Sequence, residues 1–268
     1  MTLEVLICTI DDRIAGIALP EARHNVSYLI SWQQRKPGKY ADIPVALQRP
    51  DVKVVTIAGI GSSRNRNNAI DHATGDLCYT MDDDVELLPE HFDDIFSVFE
   101  ANPSLDLATF KYVSRTESKA YPSCSFNLAN SPKGYYVSCI EIVFRRTAVQ
   151  GRVRFDERFG LGVNVLQGGE DSMFVLDALD AGLTCRFFPI VICRHDALST
   201  GTRDVAKPGV LRAKGAIFYR LYGGGAYPRL LWHAVKERKT IGFLRFLRWT
   251  LSGLAFYRKS ERAGREKH

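Results

Sequence analysis

At 268 residues, with 46% hydrophobic and 25% charged residues, the chain can bury a sizeable core, and this composition excludes long disorder. The net charge of +6 is unevenly spread: Arg229–His268 holds eleven Lys/Arg against three Asp/Glu, whereas the 228 residues before it hold 25 bases and 27 acids. A near-neutral body with a basic tail suits an anionic surface, lipid or nucleic acid, met by the tail alone.

No stretch offers 18 uncharged apolar residues, so no membrane-spanning helix is expected, and the first residues lack the basic and apolar regions of a secretory leader. Six cysteines occur without a CxxC pair, and Cys8, Cys78, Cys139 and Cys185 stand in apolar runs. This predicts a reduced, cytoplasmic protein rather than a disulfide framework.

Leu3–Ile10 is an apolar run that predicts a first strand, ending in the polar sequence Thr9-Ile10-Asp11-Asp12-Arg13. The end of a first strand is a common place to meet a nucleotide, and a capped loop is the plainer reading. A short helix is expected over 14–19, a second strand over 26–32 and a third over 51–58. The Pro-bearing residues 34–50 predict a loop. The sequence Gly59-Ile-Gly61-Ser-Ser-Arg64-Asn65-Arg66-Asn67-Asn68 then opens a helix reaching about Ala73. A helix start presents free amides and a positive dipole end, and two arginines add charge, so a diphosphate could dock there.

The run Asp76-Leu-Cys-Tyr-Thr-Met-Asp82-Asp83-Asp84-Val85 predicts a buried strand that stops in three consecutive carboxylates. Such acids repel one another unless solvated or neutralised by a cation. An acidic turn and a site for a hard divalent metal with a phosphate ligand both fit. Alternation along an extended chain would turn Asp83 away from its neighbours.

Beyond it, Pro89 opens a helix whose face Phe92, Ile95, Phe96 and Phe99 is core. Strands are expected over 105–113 and 135–144, with a long loop between them over 114–133 and a short helix or turn over 145–150. Gly168-Gly169-Glu170-Asp171 predicts a loop entering a helix, with both acids in its first turn. The glycines would allow a ligand close to the backbone, and a carboxylate facing a cleft can serve as general base. A last strand over 184–193, made irregular by Pro189, runs into Arg194-His195-Asp196 and then Ser199-Thr200-Gly201. His195 there is a structural histidine or a second metal ligand. Helices are expected over 208–222 and 228–239, separated by Gly223-Gly224-Gly225. Residues 241–257 form an amphipathic helix with Arg245, Arg248, Ser252 and Lys259 on one face and Phe243, Leu244, Leu247, Leu251 and Leu254 on the other. Its apolar face fits a membrane surface, through 241–259, or a packed position on the body.

Taken in order, Gly61-Ser-Ser-Arg64-Asn65-Arg66-Asn67-Asn68-Ala69-Ile70, Ala73-Thr-Gly75-Asp76, Met81-Asp-Asp-Asp-Val85, Gly169-Glu170-Asp171 and His195 resemble the pattern of family 2 glycosyltransferases of the GT-A fold. The resemblance implies an α/β fold: a Rossmann-like central mixed sheet flanked by helices, with domain 1–222 and a basic helical extension 223–268. It implies an inverting, metal-dependent transfer of a sugar from a nucleotide-diphosphate sugar, a UDP-sugar foremost, to the hydroxyl of a saccharide or lipid-linked saccharide, as in bacterial surface polysaccharide or glycolipid synthesis. In that picture Asp84 and His195 ligate Mg²⁺ or Mn²⁺. Thr9, Asp11, Arg66 and Asp82 bind the donor nucleotide, and Asp171 is the general base with Glu170 in support. The place where such enzymes often carry a base-contacting Asp holds Ser31-Trp32-Gln33 here.

A sugar-phosphate nucleotidyltransferase would carry a Gly-rich loop with Arg and Lys near residue 10, and Thr9–Gly16 has one Gly and no Lys. A non-catalytic membrane-associated binding module would need neither the aspartates nor Glu170-Asp171. The apolar face of the tail favours lipid over nucleic acid, which places the protein in the cytoplasm or peripherally on the inner face of the cytoplasmic membrane.

Overall fold

The computed structural model describes residues 1–40, 42–116, 119–196 and 203–265. Ser199-Thr200-Gly201 lie outside the described residues. The chain divides into two compact units, Met1–Phe155 with Phe174–Ala197, and Asp156–Met173 with Leu198–His268. The sequence-based division at 222/223 follows the family pattern; the compact units part at different places.

The first unit is built on one sheet, in the order β3-β2-β1-β4-β8-β6-β9-β5, with β7 pairing β9. Its strands are β1 (Leu3–Ile10), β2 (Val26–Gln34), β3 (Val52–Ala58), β4 (Leu77–Asp82), β5 (Glu86–Leu87), β6 (Leu107–Val113), β7 (Phe126–Asn127), β8 (Ile142–Arg145) and β9 (Cys185–Arg194). Strands β1 to β4 are mutually parallel, while β8 is antiparallel to both β4 and β6. The sheet is therefore mixed, as the resemblance implies.

Strand alternation sorts the core onto two faces. Leu3, Val5 and Ile7 of β1 and Tyr79 of β4 join Phe92, Ile95, Phe96 and Phe99 of helix α2 (Phe92–Ala101). Leu6 and Cys78 join Ala69 and Ile70 of helix α1 (Ser62–His72) on the other face. The turn from α1 to β4 is pinned by Glu4, whose buried carboxylate accepts from the Thr74 and Gly75 amides at 2.5 and 2.9 Å. A Cβ on Gly75 would meet the Cβ of Glu4 at 2.7 Å, so glycine is required there.

One expected strand is mostly absent. Of residues 135–144 only the end is extended, because Ser138 and the carboxylate of Glu141 close a capping box around a single tight turn, Cys139–Glu141. A buried charged residue answered by its own backbone stops the strand from starting earlier. Helix α3 (Arg146–Val149) follows β8.

The second unit gathers helices α5 (Pro208–Tyr222), α6 (Ala226–Lys236) and α7 (Phe243–Arg265), plus the loop 156–169 and the first turn of α4 (Glu170–Asp180). Leu211, Leu230, Ala234, Phe246 and Leu254 form its core. A Cβ on Gly215 would sit 1.9 Å from the Thr250 carbonyl oxygen, and one on Gly253 would sit 2.0 Å from that of Arg212. Two glycines thus let α5 and α7 cross nearly backbone to backbone.

Along 241–259, Phe246, Leu254 and Tyr257 are buried by helix packing, leaving chiefly Leu244 and Phe256 of its apolar residues exposed. Part of the apolar face expected to meet a membrane thus packs on the unit's own helices. Among the described residues, no helix is long and apolar enough to cross a membrane.

Because the obstruction at Gly215 is backbone, Gly215→Ala has no side chain to push aside. It should cost about 2 kcal/mol or more, read as a fall of several degrees in the midpoint of thermal unfolding followed by circular dichroism.

Candidate active site

In the sheet order, β1 is flanked by β2 on one side and β4 on the other, so the chain reverses its winding between β1 and β4. Open α/β sheets bind ligands at the carboxyl ends of the strands beside such a point. Here those ends carry Thr9 to Asp11 and Asp82 to Asp84, and Cys8 pairs in register with Asp82.

Each carboxylate has a different partner. Asp82 accepts from the Arg66 guanidinium at 2.9 Å, and the Cys139 thiol donates to its other oxygen at 3.2 Å. Arg66 is buried, donates to Cys139 Sγ at 2.9 Å and stacks over the Phe155 ring at 5.5 Å. Asp83 accepts from the Thr9 hydroxyl at 2.6 Å and from Arg13 Nε at 3.0 Å. Asp84 accepts from Arg13 Nη2 at 3.2 Å, and His195 Nε2 lies 3.4 Å from its Oδ1. His195 stands just beyond β9, fixed by its amide to the Val113 carbonyl and edge-on to Tyr112.

Two expectations change. Asp83 does not turn away from its neighbours: β4 ends at Asp82, residues 83–84 form a turn, and alternation no longer applies. Its side chain is 5% exposed and tied to β1 and Arg13. The glycines before Glu170 also serve otherwise than expected. Gly168 and Gly169 both have left-handed backbone, at φ 127° and 82°, and a Cβ on Gly169 would lie 2.5 Å from Ile217 Cδ1, so the close approach there is to α5 of the same unit.

Burial pushes the Asp83 carboxyl above its ordinary pKa, only partly offset by Thr9 and Arg13. The hydrogen bond from His195 holds Asp84 below it, against the effect of burial. Neighbouring carboxyls are thus driven apart: Asp83 is committed to the fold, whereas Asp84 is 44% exposed and keeps its charge.

The remaining predicted residues fall as follows. Thr9 is buried and serves Asp83. Asp11 is buried with φ 51°, paired with the Arg35 guanidinium and accepting from the Arg35 amide at 2.9 Å. Ser31 and Gln33, in the place of the family's aspartate, hold α1: Ser31 bonds Asn65 and Asn68, and Gln33 bonds Gly61. Asp82, Asp84, Arg66 and His195 are brought together. Glu170 and Asp171 open α4 within the second unit, with Glu170 buried.

That unit clamps the loop leading to them. Arg158 bonds Asp156 at 2.6 Å, Glu261 at 2.8 Å and the Ser260 hydroxyl at 2.7 Å, and lies over the Tyr257 ring at 4.7 Å.

Sequence reasoning passed over Arg13 and Cys139, and over a buried pair beside Cys139. Lys119 Nζ lies 2.7 Å from Glu141 and packs on the rings of Tyr121 and Tyr136 at 5.0 and 4.2 Å. Burial raises the Glu141 carboxyl pKa despite Lys119. Arg13, three residues past the first strand, was visible as a cation near the acids' strand end; Lys119, inside a polar loop, carried no such signal.

The donor chemistry fits a divalent cation completed by substrate. Among the described residues, no three or more His, Cys, Asp or Glu side chains are grouped to hold a metal alone. Mg²⁺ and Mn²⁺ bound with phosphates take only one or two protein carboxylates, the rest of the shell being substrate oxygen and water. A half-exposed, ionised Asp84 beside an imidazole supplies such a partial set.

A mixed α/β sheet with acids at its switch point and a histidine returning from the last strand defines a GT-A-like fold. The fold is similar to that of solved structures of S. aureus TarS. One aligns with TM-score 0.55 and 16% identity over 82% of this chain and 40% of its own. The 1–349 fragment in complex with UDP-GlcNAc gives 0.56 and 14% over 82% and 67%, and the fragment with UDP gives 0.55 and 16% over 82% and 66%. The chain thus spans about 40% of the longer TarS structure it matches. No curated protein matches it. Residues 39–150 match the family model described as glycosyl transferase family 2, which spans α1, the acid cluster and the Cys139–Glu141 turn. The matched residues are under half of the chain.

Although burial raises the Asp11 carboxyl, hydrogen bonds from Tyr40 and from Arg35's amide and guanidinium hold it below its ordinary value. A depressed folded pKa stabilises above the unfolded value of about 4, and that contribution is lost as pH falls through the folded one. Asp11→Asn should therefore melt below wild type at pH 7, and the gap in melting temperature should narrow as pH is lowered toward 3.

Proposed function

We propose that the protein is an inverting, metal-dependent glycosyltransferase that moves a sugar from a nucleotide-diphosphate sugar, a UDP-sugar foremost, to the hydroxyl of a saccharide or lipid-linked saccharide. Its setting is surface polysaccharide or glycolipid synthesis at the inner face of the cytoplasmic membrane. The observation that carries the reading is the pairing of Asp84 with His195, 111 residues apart in sequence and 3.4 Å apart at the switch point of the sheet. The complexes of TarS 1–349 with UDP-GlcNAc and with UDP support the donor class.

In this reading Asp84 and His195 hold the cation, and Asp82, oriented by Arg66 and Cys139, faces the donor. Bound there, Mg²⁺ or Mn²⁺ supplies Lewis-acid stabilisation of the charge that develops on the departing diphosphate. The guanidinium of Arg13, already on Asp84, can follow the diphosphate as that carboxylate changes partner. Asp171 takes the proton from the acceptor hydroxyl as its oxygen bonds to the anomeric carbon from the face opposite the leaving group, with Glu170 in support. The clamp of Arg158 on Asp156 and Glu261 steadies the loop that carries this base.

A panel of nucleotide sugars, followed by thermal shift with and without Mn²⁺, should show stabilisation by a UDP-sugar that needs the cation and disappears in Asp84→Ala. If no nucleotide sugar shifts the melting point with Mn²⁺ present, the proposal fails. Asp171→Asn should keep donor binding and lose transfer by about 10²-fold or more; transfer at the wild-type rate would remove Asp171 as the base.

A further inference from the structure

Among its described residues, the second unit leaves an apolar stripe on α6 in solvent. Tyr227, Leu231 and Val235 recur every four residues along α6, and Trp232 stands one position past Leu231; Leu231 is 50% exposed and Trp232 54%. At 100° per residue these four cover an arc of about 140°. Ala226, Leu230 and Ala234, outside that arc, are buried in the helical core. Scattered exposed apolar residues need no explanation, but a contiguous stripe on one helix does.

The border of the stripe is cationic. The Arg229 guanidinium lies over the Tyr222 ring at 4.2 Å, and Lys236 Nζ over the Trp232 ring at 5.1 Å. Arg238 and Lys239 follow at once and are exposed. The acid among them, Glu237, accepts from the Thr240 hydroxyl at 2.7 Å. Aromatic rings beside long cationic side chains, on a short helix with an apolar stripe, match the chemistry of the boundary between lipid headgroups and acyl chains.

We propose that this face of α6 seats the protein on an anionic bilayer. Tyr227, Leu231, Trp232 and Val235 enter the headgroup boundary, and Arg229, Lys236, Arg238 and Lys239 meet lipid phosphates. The assignment moves the membrane contact from α7, whose apolar side is spent on α5, to its neighbour in the chain. Charge selects the bilayer over a second copy of the chain: a two-fold pairing of this face would set four cations of one copy against the same four of the other, with Glu237 as the offset. The inference rests on residues of the second unit and is independent of the transferase reading.

The test is co-sedimentation of the full chain with vesicles of phosphatidylcholine alone and of phosphatidylcholine with phosphatidylglycerol. The protein should bind the anionic vesicles, bind the neutral ones weakly, and release as salt rises. Leu231→Ser with Trp232→Ser should weaken binding by about tenfold or more at an unchanged melting temperature. Arg229→Glu with Lys236→Glu, which keeps the apolar stripe, should weaken it selectively on the anionic vesicles. Absence of binding to anionic vesicles, wild-type binding by both double variants, or a wild-type dimer in light scattering that Leu231→Ser/Trp232→Ser turns into monomer would each overturn the proposal. Donor binding in the thermal-shift assay should be unchanged in both variants, which separates this outcome from the fate of the transferase reading.

Discussion

Three adjacent carboxylates at the end of a buried strand are the constraint around which the first unit is arranged. Left alone, Asp82, Asp83 and Asp84 would repel one another at the edge of a low-dielectric core. They are instead answered by groups from separate parts of the chain: Arg66 from α1, Thr9 and Arg13 from the end of β1, Cys139 from the turn before β8, and His195 from the end of β9. Two guanidiniums against three carboxylates leave an excess of negative charge, concentrated on the most accessible member, Asp84. Such an excess is the kind of charge that a bound cation would neutralise.

Helix α1 shows what holding that cluster requires. Its sequence is poor in apolar residues, yet Asn65, Arg66 and Asn67 are buried. Asn65 donates to the Thr9 carbonyl, and Asn67 exchanges two hydrogen bonds with the Phe155 backbone. Buried polar groups are tolerable only when satisfied, and here the satisfied network fixes the position of Arg66, and through it Asp82. The Lys119–Glu141 pair acts similarly on the other flank, anchoring the turn that carries Cys139. The polar groups that look like ligand contacts in the sequence are in good part the frame that aims a few of them.

The elements were largely legible from the chain. Helix α1, strand β4, the aromatic face of α2 and the helix over 208–222 follow from periodicity, proline and glycine placement, because each is decided by neighbours within a few residues. The site was legible as a set of residue types but less so as a set of partners. Asp11 has the sequence position of a nucleotide contact, yet its carboxylate is held by Arg35, 24 residues on. The strand expected over 135–144 lost all but its end to a capping box, since an apolar run cannot reveal that Glu141 will be buried with its charge satisfied by Lys119.

What the sequence determined by itself is local and compositional: an α/β chain, an acid triplet at a strand end, a Gly-Gly-Glu-Asp helix start, and a basic, amphipathic tail. Tertiary structure decided which acid is available and which apolar face is spare. Asp83 and Asp84 are adjacent and chemically identical, and only the residues packed around them bury one and leave the other charged. Likewise α6 and α7 both carry apolar faces in the sequence. The glycines at 215 and 253 let α7 close onto α5, leaving the stripe on α6 in solvent. Burial and pairing are properties of neighbours distant along the chain, and no pattern within a helix or a strand encodes them.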